Sequence, residues 1–356
     1  MRLFVTILLF YFSMFSFEVE ASQKEVEDFD PMDMIMHHIE DSHEFHILSY
    51  HNSAGEKIDI ALPLPVILWH EGGFHFFMSS NFARGEEIIS LNDSDEYIRL
   101  YHEKIYYTDS SGRINYDEQG NIANSKPLSF SITKNVFSLF IGSLLIFWIF
   151  GAAARKYSKR GGLSVPKGIQ LVVEPIILFV RDDIARAQID KSKADFFMPY
   201  LLTLFFFIWI NNLVGLIPFF PGGANLSGNI GFTLALGISA FIAVNVFGSK
   251  EHWQEVLTAP GVPFFAKIFL VPVEIIGLFT KPFALMLRLF ANITAGHIII
   301  LSLTSMIFIM RSIYVAPVTI LLSLIMMSLE FLVAILQAYI FTLLTSLFIG
   351  MAVNEH

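Results

Sequence analysis

Several residue types that are costly in apolar surroundings recur inside the apolar C-terminal half of this chain. Arg288 lies in the run Lys281-Pro282-Phe283-Ala284-Leu285-Met286-Leu287-Arg288-Leu289-Phe290-Ala291-Asn292. A cation at bilayer depth costs a few kcal/mol on insertion scales, so it faces a partner, a cavity or an ion path. Asn292 is one helical turn away on the same face. His297 is nine residues on, about 13 Å along a helix axis and about half a turn around it. Glu274 is fourteen residues back, about 21 Å. In the next apolar segment Glu330 and Gln337 are two turns apart and share a face, with Glu330 displaced by about 10 Å.

A hairpin of the two segments with Gln337 level with Arg288 brings Glu330 and His297 to similar depth. Histidine and glutamate exchange protons near neutral pH when burial and neighbours tune them. Arginine does not deprotonate in a protein. The pattern is therefore three-tiered: a titratable His297/Glu330 pair, a permanent cation, and the acid Glu274 beyond it. A proton path interrupted by a fixed charge does not run straight through, and something else must carry the proton past it. Each residue also has a plainer reading. Arg288 could pair structurally with Glu330 or Glu274, and His297 could be a satisfied interior histidine. Asn211, Asn212, Asn292 and Gln337 could be interhelical hydrogen-bond glue, worth about 0.6–2 kcal/mol each. All of them at consistent depths are harder to dismiss than any one.

The elements that must hold these residues are long apolar helices. The chain has 356 residues, of which 54% are hydrophobic and 15% charged, with a mean hydropathy of +0.59. Soluble domains are nearer a quarter charged, and a bilayer span needs roughly 20 apolar residues. These features define an all-α polytopic membrane protein. Spans are predicted at residues 135–153, 199–217 and 231–247. Two further apolar segments, 263–310 and 313–353, are each about twice a spanning length. Either each is broken, or each is a long, strongly tilted helix, which makes about five transmembrane helices in all. Residues 166–190 carry one apolar face followed by Arg181, Asp182, Asp183 and Arg186, as in an interfacial helix. No tandem repeat is visible, which weakens an inverted-repeat transporter reading.

The net charge of −9 hides an asymmetry, because acids concentrate in the N-terminal third. Residues 1–21 read as a secretory signal peptide, with an uncleaved anchor as the alternative. Residues 22–130 are polar, with alternating runs such as Lys57-Ile58-Asp59-Ile60-Ala61-Leu62 and Tyr97-Ile98-Arg99-Leu100-Tyr101 separated by turn signals. They predict a small β-rich extracytoplasmic extension. Arg155, Lys156, Lys159, Arg160 and Lys167 follow the first span and mark the cytoplasmic side. The C-terminus then lies in the cytoplasm. The absence of cysteine excludes disulfides, thiolate metal sites and cysteine nucleophiles. The run His37-His38-Ile39-Glu40-Asp41-Ser42-His43-Glu44-Phe45-His46 could hold zinc or copper, but its spacing fits no standard template. A solvated acidic surface or a proton-collecting antenna is the alternative, and no metal or cofactor is assigned.

At the polar residues of the apolar segments the sequence resembles subunit a of the F-type ATP synthase. The resemblance rests on Leu287-Arg288-Leu289-Phe290-Ala291-Asn292, Ala295-Gly296-His297, the upstream Glu274 and Lys281-Pro282, and Leu336-Gln337-Ala338-Tyr339-Ile340-Phe341. Asn212-Leu213 before Gly215-Leu216-Ile217-Pro218 and the terminal Asn354-Glu355-His356 add to it. It covers residue 137 to the end, within a membrane domain at 131–356. The resemblance implies a non-catalytic proton-translocating stator in a bacterial inner membrane, with its two long tilted helices facing the c-ring. Its other partners would be the subunit b stalk, the remaining synthase subunits and lipid, with no nucleic acid. Arg288 would separate two half-channels and pair with the c-ring carboxylates, with Asn292 and Gln337 lining that contact. His297, Glu330 and Asn212 would belong to the outer half-channel and Glu274 to the inner one. Some family members carry Glu and His exchanged at positions 297 and 330, and some carry Asp at the place of Gly215. The resemblance assigns residues 22–130 no task.

Overall fold

Beyond residue 133 the chain is helix almost throughout, as its uncharged apolar runs require: in lipid every backbone N–H must find its partner within the segment. The structure, a computed structural model, describes residues 31–51, 57–91, 96–160, 168–217 and 220–354. The expected signal peptide lies outside the described residues. The helices are α1 (Pro31–Ile39), α2 (Lys134–Arg160), α3 (Ile169–Phe179), α4 (Lys191–Gly215), α5 (Ile230–Val246), α6 (Lys250–Thr258), α7 (Phe264–Met310) and α8 (Ala316–Val353). α2 as far as Tyr157, α4, α7 and α8 are long and apolar enough to cross a membrane, and α5 with α6, bent by 101°, makes a fifth candidate. The chain is a multi-pass membrane protein, as expected.

The two double-length segments are each one unbroken helix. α7 runs for 47 residues through Pro272 and Pro282, and α8 runs for 38. The first is about 70 Å long at 1.5 Å per residue, against about 30 Å of hydrocarbon. Arg311 turns the chain between them in a left-handed conformation, φ 46. α4 is the most enclosed span, with Leu201 and Ile208 fully buried beside Leu289 of α7 and Ile349 of α8. The predicted amphipathic segment is α3, exposed at Leu171 and Val172. It continues through a π-helical turn, Val180–Ala185, whose Ile184 carbonyl accepts from Ser346 Oγ of α8 at 3.1 Å. The last turn of α8 is pinned there too. Asn354 Nδ2 donates to the Gln188 carbonyl at 3.2 Å, and Asn354 Oδ1 accepts the Asp190 N–H at 3.1 Å.

Residues 41–130 form the expected β-rich module. β1 (Glu44–His51) and β2 (Lys57–Pro63) make a hairpin. β3 (Pro65–His70) lies between β4 (Gly73–Met78) and the short β8 (Leu128–Ser129), while β5 (Ile88–Ser90), β6 (Tyr97–Tyr101) and β7 (Lys104–Thr108) form a third antiparallel sheet. Val66, Leu68, Phe82, Leu91, Ile98 and Ile105 form a core shared by the second and third sheets. The module sits on one end of the helical bundle. The rings of Phe45 (β1), Phe137 (α2) and Phe220 lie 5.2–6.1 Å apart, centroid to centroid. Asp41 Oδ1 accepts the Asn135 N–H at 2.9 Å and so caps the start of α2. Its Oδ2 accepts from Thr133 Oγ1 at 2.9 Å and from Asn229 Nδ2 at 3.4 Å. Asn229 in turn caps α5. One carboxylate thus ties the module to the ends of two helices.

Candidate functional site

Arg288 is exposed on the outside of the bundle. Among the described residues it makes no ion pair or hydrogen bond, so neither plainer pairing forms. Glu274 lies 3.8 Å from Lys281 instead, and both carboxylate oxygens of Glu330 are buried without a partner. Ala284, Ala291, Asn292 and Ala295, the residues within two turns of Arg288 on its face, are all exposed, and Ile299 and Ser302 lie further along the same face. The arginine therefore stands on a stripe of small side chains over which another helix can come close.

The hairpin depth expected from the sequence is present. α7 and α8 pack antiparallel, and a β-carbon at Gly296 would fall on the Glu330 carboxylate. Glu330 is thus level with Gly296 and His297. Seven residues back along α7 and seven forward along α8, at equal rise, Gln337 is level with Leu289 and Arg288. Glu330 and Gln337 share a face, as expected, and both are buried, 5% and 4% exposed. Gln337 sits among Ala334, Ala338 and Phe341, behind the exposed face that carries Arg288 and Asn292. His297 is half-buried. It shares a level with Glu330, but no hydrogen bond or ion pair joins the two.

Asn212 is buried, 5% exposed, at the module end of α4. Its Oδ1 accepts from Ser227 Oγ at 2.5 Å, and its Nδ2 has no partner. Asn211 donates to the Phe207 carbonyl at 2.8 Å, and its Oδ1 is unpartnered against Gly142, where a β-carbon would overlap it. The region thus keeps unsatisfied buried polar atoms on the module side of Arg288. Gly215 is explained by space: a β-carbon there would approach the Ala224 carbonyl to 2.8 Å, which leaves no room for an acid.

On the other side of Arg288 a cavity of about 330 Å³ opens between α5, α6, α7 and α8. Asn245, His252, Glu255, Glu274 and Lys281 bring its polar groups. Sequence reasoning picked out Glu274 but not His252 or Glu255, which α6 returns to the cavity by its 101° bend. Burial pushes the His252 imidazole below its ordinary range, with the Lys281 charge acting the same way. The histidine-rich run shows no metal-like grouping among the described residues.

Two family models match the chain: "ATP synthase A chain" over residues 136–350 and "Domain of unknown function (DUF8433)" over residues 34–130. Among curated relatives, ATP synthase subunit a of Chloroherpeton thalassium is 43% identical over 227 residues, 63% of this chain and 67% of the relative. ATP synthase subunit a 2 of Chlorobaculum tepidum is 46% identical over 228 residues, 62% of this chain and 63% of the relative. ATP synthase subunit a of Anaeromyxobacter sp. is 40% identical over 232 residues, 63% of this chain and 55% of the relative. The match thus spans about two thirds or less of these relatives.

Proposed function

Because the chain belongs to the ATP synthase A chain family, we propose that it is the stator subunit that moves protons to and from the rotor of an F-type ATP synthase. The observation that carries this reading is Arg288: an exposed cation in a span, on a small-residue stripe, with no counter-charge among the described residues. Such a charge calls for an acid on another chain. A c-ring carboxylate meets the need. Protonated, it is neutral and can turn through lipid. Beside Arg288 it ionises, because a nearby cation lowers an acid's pKa. A transporter built around an internal cavity would turn the arginine inward.

Protons reach the ring through the module side, past Asn212, His297 and Glu330, and leave through the cavity that holds Glu274, His252 and Glu255. Arg288 blocks the direct route between them. Each 100 mV across the membrane is worth about 2.3 kcal/mol per charge moved, which the ring converts to rotation. Asn292 stands beside Arg288 at the contact, and Gln337 supports it from behind. In this reading α7 and α8 lie tilted against the ring, since their lengths exceed a bilayer. The module is extracytoplasmic, the C-terminus is cytoplasmic and the membrane is the bacterial inner membrane. The module belongs to residues 22–130, behind a signal peptide at 1–21. Subunit b and the remaining synthase subunits complete the assembly.

Arg288→Ala in the assembled complex should reduce ATP-driven proton pumping into inverted vesicles to background while the complex still assembles. Normal pumping would overturn the assignment.

A further inference from the structure

Four buried asparagines at the module end of the bundle each leave a polar atom without a protein partner: Asn135 Oδ1, Asn211 Oδ1, Asn212 Nδ2 and Asn225 Nδ2. They come from the start of α2, the end of α4 and the cap of the short turn Leu226–Gly228. That turn packs against α2, α4, α5 and α7 at once. Buried polar side-chain atoms nearly always find a partner, in protein or in water. Four such amides in one place supply the donors and acceptors that a buried water needs, two to four for each molecule.

The cluster is continuous with the module. Asp41 accepts from Asn229 Nδ2 at 3.4 Å. Asn229 stands two residues beyond Ser227, and Ser227 Oγ donates to Asn212 Oδ1. A second line runs down α2. Asp41 accepts the Asn135 N–H at 2.9 Å, and Asn135, Ser138 and Gly142 share one face of that helix, all of them buried. Gly142, about 10 Å along the axis from Asn135, meets Asn211 of α4. Asp41 therefore heads both lines. It is half-buried, so it also reaches the water outside, and it is the one titratable side chain on either line.

We propose that the seam between the module and the bundle is the outer mouth of the proton path, with Asp41 as its proton-collecting group. The carboxylate takes a proton from the water outside, hands it to water held among Ser138, Ser227 and the four asparagines, and is ionised again. The amides and hydroxyls do not titrate and only orient that water. The module is then a wall of the channel itself. The inference rests on the half-channel reading of Asn212.

The chain has no cysteine, so a single cysteine reports access. The test uses the full complex in proteoliposomes. Ser138→Cys and Ser227→Cys each exchange a hydroxyl for a thiol of similar shape, and Leu144→Cys places one on the exposed outside of α2. Ag⁺, which travels with water and binds thiols, is added on the module side, and the thiols left free are counted with a fluorescent maleimide after denaturation. Both serine positions should be protected severalfold faster than position 144. Protection no faster than there would overturn the mouth. Asn212→Cys separates the two readings. Protection at 212 with both serine positions left free sinks only the seam, whereas all three left free sinks the half-channel reading as well. Asp41→Asn keeps an acceptor for the Asn135 N–H but has no exchangeable carboxyl proton. It should slow proton translocation severalfold when protons outside are scarce, and Asp41→Glu should keep most of the native rate. A native rate in Asp41→Asn, or an equal loss in both variants, would overturn the role of Asp41.

Discussion

Gly296 of α7 faces Glu330 of α8 so closely that a β-carbon at position 296 would occupy the space of the carboxylate. The absence of a side chain on one helix is what admits an acid on the other. This contact also sets the register of the hairpin, and through it the level of Gln337 with Arg288.

Gly296→Ala should therefore displace Glu330 while costing about 1–3 kcal/mol of overpacking. The expected result is an assembled complex with proton pumping reduced several-fold, as measured by quenching of a pH-sensitive dye. Adding Glu330→Asp, one methylene shorter, should recover part of the loss. Wild-type pumping in Gly296→Ala would refute the contact's importance.

His297 and Glu330 share a level with no hydrogen bond or ion pair between them. If they serve one relay, His297→Glu together with Glu330→His should retain more proton translocation than either change alone. Losses that simply multiply in the double variant would show that the two act independently.

His43 should make the stability of the folded module pH-dependent, and the sign follows from burial. The unfolded histidine titrates near 6.5 and the folded one lower, chiefly through burial and against the Asp41 charge. The folded state then binds fewer protons. Stability is complete above about 6.5 and falls as pH drops below it. Limited proteolysis of the module in the intact complex should accelerate as pH falls below about 6.5, and His43→Gln should reduce that acceleration. Equal acceleration in both proteins would remove His43 as the cause.

The apolar runs made the spans legible in the sequence, because hydrophobic length is a local property. The β-rich module was legible for the same reason, through alternation in runs such as Lys57–Pro63 and Tyr97–Tyr101. Residues on one helix or one hairpin, such as Arg288 with Asn292 or Glu330 with His297, followed from rise and periodicity. What escaped was proximity between distant segments. Nothing in the spacing joins Asp41 to Asn135 and Asn229, or His252 to Glu274. Those pairs depend on how the module docks and on the bend after α5. The continuity of α7 also had to be seen, since Pro272 and Pro282 permitted either a broken or an unbroken helix. The burial of Gln337 behind the face that carries Arg288 likewise depends on helix rotation within the bundle, which periodicity alone leaves free.

The small-residue stripe beside Arg288 has a mechanical consequence. Interlocked helices with large side chains resist sliding, because each knob must climb out of its hole. Ala284, Ala291 and Ala295 offer only methyl groups, so the surface has shallow relief. Beside Arg288 a neighbouring helix can leave and its successor arrive without unlatching, and the strongest local feature is the charge. The contact is therefore a smooth bearing with a single electrostatic detent.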